Sequence, residues 1–137
     1  METTPKRGTI KNNDCAHQTI RFDGIRYGSI TPTDIDALIE YHDVAIIIYE
    51  FKYIGAPMKD GQRIAIERII DDIQNSGKYA IAFLCEHFVK DPSEDVYAKD
   101  ALVNMVYFDR EWHECRSETV KEKTDRFIKW VDSKTTY

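Results

Sequence analysis

Two runs rich in β-branched and aromatic residues, DIDALIEY over 34–41 and VAIIIYEFKY over 44–53, flank the polar pair His42–Asp43. The pattern predicts a strand from Asp36 to Tyr41, a turn at His42 and Asp43, and a second strand ending near Tyr53, together a β-hairpin. Gly55 and Pro57 mark a loop over 54–60. From Gln62 the period changes: Ile66, Ile69, Ile70 and Ile73 recur at helical spacing until Asn75-Ser76-Gly77 stops the helix. KYAIAFLCEH, 78–87, is apolar on both faces and predicts a central strand.

After a loop, VKDPSEDV, the run ALVNMVYF over 101–108 predicts a fourth strand or a short helix-to-strand segment. SETVKEKTDRFIKWV, 117–131, predicts a closing helix capped by Ser117, with Val120, Phe127 and Val131 as its apolar stripe. Trp112 and Trp130 are expected to pack. Residues 1–12 are polar and aperiodic and read as a loose arm. A short helix capped by Asn13 or Asp14 is expected next, then breaks at Gly24 and Gly28. The order strand, strand, helix, strand, strand, helix defines an α/β fold, a mixed central β-sheet flanked by helices.

The 137 residues, 42% of them hydrophobic, suffice for one core, so 13–137 is expected to form a single domain. Three cysteines without an apolar secretory run imply reduced thiols inside a cell, and no apolar stretch is long enough to span a bilayer. A soluble cytoplasmic protein is expected. The formal charge of −5 argues against binding nucleic acid by bulk charge alone. That objection weakens if several acids share one metal-binding cluster, and basic residues such as Arg21, Arg26, Lys123 and Arg126 remain toward both ends.

Carboxylates at the margin of an apolar hairpin need an explanation, because a buried charge is costly unless it is paired, hydrogen-bonded or bound to a metal. Side chains alternate along a strand, so Glu50 and Lys52 share one face, as do Asp34, Asp36 and Glu40 on the strand before. In a regular hairpin an aspartate at the start of the first strand lies beside Glu50 near the end of the second. Two carboxylates with an ammonium beside them suit Mg²⁺ or Mn²⁺, which take one or two carboxylates together with water and phosphate.

An aspartate, a hairpin and then E-x-K resembles the PD-(D/E)XK nuclease superfamily, and the run from Pro32 through EFKYIGAPMKDGQRIAIERIIDDI resembles its small phage or prophage members. The resemblance is carried by residues 30–87. It implies a restriction-endonuclease-like core, Asp36 and Glu50 as metal ligands with Asp34 as the alternative aspartate, Lys52 as catalytic lysine, and Gln62 facing the active site. It further implies hydrolysis of phosphodiesters in nucleic acid, expected to be DNA and branched DNA in particular, by a chain that dimerises or works with a host or phage protein in a bacterial cytoplasm. Many relatives carry a further acid on an N-terminal helix, where this chain offers only Asp14 and Asp23. The alternative is a catalytically silent module on the same fold, an inhibitor of a host protein or a DNA-binding accessory factor, for which an acidic surface suits a basic partner.

Three further pairs, Cys15 with His17, Cys85 with His87 and His113 with Cys115, carry residue types that bind zinc, but not at the spacing of common zinc fingers. Cys85 reads as a small apolar core residue, and His87 as a residue at the rim of the active site.

Overall fold

The computed structural model describes residues 19–115 and 117–135. The chain divides into two units, Met1–Pro32 and Thr33–Tyr137. In the first, residues 19–32 are turns: Tyr27 and Ile30 exchange backbone hydrogen bonds of 2.9 and 3.0 Å, and Arg21 pairs with Asp23. The expected arm over 1–12 and the helix start at Asn13 or Asp14 lie outside the described residues; from Thr19 to Pro32 the chain is not helical.

The second unit holds β1 (Ala37–Tyr41), β2 (Ala45–Tyr53), α1 (Asp60–Asn75), β3 (Tyr79–His87), a 3-10 turn (Ala98–Asp100), β4 (Leu102–Phe108), β5 (Glu111–Glu114) and α2 (Val120–Lys134). The strands form one mixed sheet in the order β1-β2-β3-β4-β5. Only β2 and β3 are parallel, as expected of strands joined through a helix; the other pairs are antiparallel. β3 is central, in agreement with its apolar sequence.

His42 and Asp43 both adopt positive φ, 51° and 61°, the geometry of a hairpin turn that follows the strand twist. Asp109 and Arg110, at 52° and 67°, do the same between β4 and β5. That second hairpin is absent from the sequence reading: its turn has no glycine or asparagine, and β5 has only four residues. An irregularity at Leu84/Cys85 leaves Asn104 as an extra residue in β4, so Val103 and Val106 face the same layer.

Each face of the sheet has its own core. Ile66 and Ile70 of α1 pack with Ile48, Ala80, Ala82 and Tyr107 on one side. Val120, Phe127 and Val131 of α2 pack with Ile47, Phe83 and Val103 on the other. Tyr49 and Phe51 join that second core, whereas Tyr53, expected there too, is 41% exposed because it ends the strand. Trp112 and Trp130 pack as expected, Trp112 beside the α1 layer and Trp130 against Tyr79, Phe108 and Phe127.

The starts of both helices differ from expectation. α1 starts at Asp60, two residues before Gln62. α2 is capped by Thr119 rather than Ser117: Thr119 Oγ1 accepts the Glu122 N–H at 3.2 Å, and Glu122 Oε1 accepts the Thr119 N–H at 2.9 Å. The reciprocal pair satisfies two otherwise orphaned N–H groups, which Ser117 stands too early to do.

Candidate active site

Asp36 sits one residue before β1. Its neighbour Ala37 pairs with Tyr49, so the register places Asp36 opposite Glu50, on the face covered by α1. Its side chain replaces the ladder there: Asp36 Oδ2 accepts the Phe51 N–H at 2.8 Å. An exposed carboxylate is thereby fixed beside a buried one. This also explains why the expected strand begins at Ala37 and not at Asp36.

Glu50 is 4% exposed, the one charged residue buried among those described. Lys52 Nζ lies 3.2 Å from Glu50 Oε1. Glu50 Oε2 is buried and has no hydrogen-bond partner. Burial pushes the Glu50 carboxyl above its ordinary value, the negative charge of Asp36 adds to the rise, and Lys52 and Gln62 oppose it. Gln62 therefore faces the site from the first turn of α1, although its Nε2 donates to the Asp34 backbone carbonyl, at 3.4 Å, and leaves Oε2 of Glu50 unmatched.

Asp34 enters this arrangement through its carbonyl oxygen, and Asp36 through its carboxylate. Alternation alone places both aspartates on one face; the register and the Phe51 hydrogen bond set Asp36 against Glu50. Glu86, not singled out in the sequence, pairs in register with Lys52 on the same face, and its Oε2 accepts the Gly55 N–H at 3.1 Å. It ties down the loop joining the Lys52 strand to the Gln62 helix. The every-second-residue series Ala80, Ala82, Leu84, Glu86 places it on the α1 face, and the parallel register sets it beside Lys52.

A hard divalent cation fits this donor set. Two adjacent carboxylates, one with a buried unmatched oxygen, offer oxygen ligands and surplus negative charge, and the exposure of Asp36 leaves room for water and phosphate. Among the described residues no group of three or more His, Cys, Asp or Glu is arranged to hold a metal.

Among the described residues the cysteine and histidine pairs do not converge on a common site. Burial pushes the Cys85 thiol up to about 12, with the charges of Glu50 and Asp36 adding to it, so it remains a protonated core side chain. His87 Nδ1 accepts the Val89 N–H at 3.2 Å, His113 Nε2 lies 3.3 Å from the Phe108 carbonyl, and Cys115 Sγ donates to Glu118 at 3.5 Å. Cys15 and His17 lie outside the described residues. No helix among the described residues is long and apolar enough to cross a membrane.

No protein-family model, no curated protein and no solved structure matches this chain.

Proposed function

We propose that the chain is a metal-dependent nuclease that hydrolyses phosphodiesters in DNA, with the β1–β2 hairpin, α1 and the parallel strand β3 as a restriction-endonuclease-like core. The observation that carries this reading is the buried Glu50 carboxylate, with one oxygen unmatched, held between Asp36 and Lys52. The E-x-K pattern and its resemblance to the PD-(D/E)XK superfamily support it from the sequence.

In this reading Asp36 and Glu50 hold Mg²⁺ or Mn²⁺, which when bound supplies positive charge against the charge developing on the phosphate. The Phe51 hydrogen bond fixes the Asp36 carboxylate, so little side-chain freedom is lost when ligand binds. Lys52, anchored on Glu50 Oε1 and partly open to solvent, orients the attacking water and offsets charge at the reacting phosphate. Gln62 supports Lys52 or the substrate from the start of α1, and Glu86 holds the intervening loop. Branched DNA is the favoured substrate, and two copies or a partner protein supply the recognition surface.

The test is cleavage of labelled linear, single-stranded and branched DNAs and of RNA with Mg²⁺ or Mn²⁺, comparing wild type with Lys52→Ala. The expected result is cleavage of DNA that requires the metal and disappears in the variant. Folded wild-type protein that cuts none of these substrates overturns the reading.

A further inference from the structure

The connection from 88 to 101, between β3 and β4, has only the 3-10 turn as regular structure. Connections of this length inside a compact domain are uncommon and are usually functional or linker segments. This one borders a groove of about 500 Å³ whose lining includes His87, Phe88, Val96 and Tyr97. Phe88 is 56% and Tyr97 67% exposed, so large apolar side chains are left in water next to an existing concavity.

The groove's charge is one-sided. Asp91, Glu94 and Asp100 line it against Lys90 alone. Ser93 pins the Asp91 carboxylate, donating from its N–H at 2.9 Å and from its hydroxyl at 2.8 Å to Oδ1. Among the described residues Glu94 and Asp100 make no ion pair. The floor is ordered: His87 is held by the Val89 N–H and meets the Tyr53 ring edge-to-face, with centroids 5.7 Å apart.

We propose that this groove binds a segment of a partner protein in which lysine or arginine flanks a large apolar side chain. The apolar group fills the space between Phe88 and Tyr97, and the basic groups pair with Glu94 and Asp100. A nucleic-acid backbone is disfavoured, because its phosphates would meet an excess of carboxylates. The inference does not depend on the nuclease reading.

The test uses the full chain without divalent metal and three labelled probes: a peptide with leucine and phenylalanine flanked by lysines, its glutamate-flanked counterpart, and a single-stranded DNA oligonucleotide. Fluorescence anisotropy is expected to show the basic peptide binding at least about tenfold more tightly than either other probe. Tyr97→Ser and Glu94→Lys, both at exposed positions, should each weaken it about tenfold without changing the melting temperature, as for residues at the centre of an interface. Asp125→Lys on α2 makes the same change in net charge and should leave the affinity unchanged. An equal loss in Asp125→Lys, tighter binding of the oligonucleotide, or no binding of the basic peptide overturns the proposal.

Discussion

Asp36 Oδ2 accepts the Phe51 N–H at 2.8 Å and so continues the β1–β2 ladder with a side chain where the backbone of β1 has left it. That hydrogen bond holds the Asp36 carboxylate near Glu50, one of whose oxygens is buried and unmatched. The protein thus holds two acids together without a full set of donors, an arrangement that costs stability and suits a cation.

That cost has a pH signature. The raised carboxyl of Glu50 means that the unfolded chain releases this proton first, so the Glu50 contribution to stability falls as pH rises from its ordinary value of 4.5 through the raised one. Glu50→Gln has no such proton to lose. Urea unfolding should therefore show the variant gaining on wild type over the range from pH 4.5 up through the raised value. A difference that stays constant over that range contradicts the electrostatic account of Glu50.

Tyr107 gives a second, alkaline transition. Its hydroxyl donates to Asp71 Oδ1 at 2.8 Å; burial first, then that hydrogen bond and the Asp71 charge, raise its ionisation from 10.0 to about 12. Stability from this group is complete below pH 10 and is lost as pH rises toward 12. Tyr107→Phe should flatten the fall in melting temperature over this interval while lowering stability by about 1 kcal/mol at neutral pH, the usual worth of one hydrogen bond.

The α2 cap is a test of stability alone. Thr119→Ala removes the acceptor for the Glu122 N–H and should cost about 1 kcal/mol in urea unfolding. Ser117→Ala should cost clearly less, because Ser117 does not cap the helix.

What the sequence makes legible follows from how local each signal is. Runs rich in β-branched and aromatic residues located β1 and β2, a run apolar on both faces located β3, and period-3.6 patterning located α1 and the stripe of α2, since each is long enough to carry its signal. The four residues of β5 are not, and their turn, Asp109–Arg110, reaches positive φ without the residues that usually announce it. Thr119-Val120-Lys121-Glu122 spells out a capping box that outranks the nearby Ser117. At the site, alternation put Asp34 and Asp36 on one face and could go no further. Setting Asp36 against Glu50 requires the strand register, and the place of Glu86 beside Lys52 requires knowing that β3 runs parallel to β2.

The most direct measurement is calorimetric titration of the folded chain with Mn²⁺, comparing wild type with Glu50→Gln. The account predicts saturable binding to wild type and its loss in the variant, because the variant exchanges a ligand oxygen for an amide and removes the charge that attracts the ion. Binding of equal affinity by both proteins, or none by wild type, would contradict the assignment of Asp36 and Glu50 as a metal site.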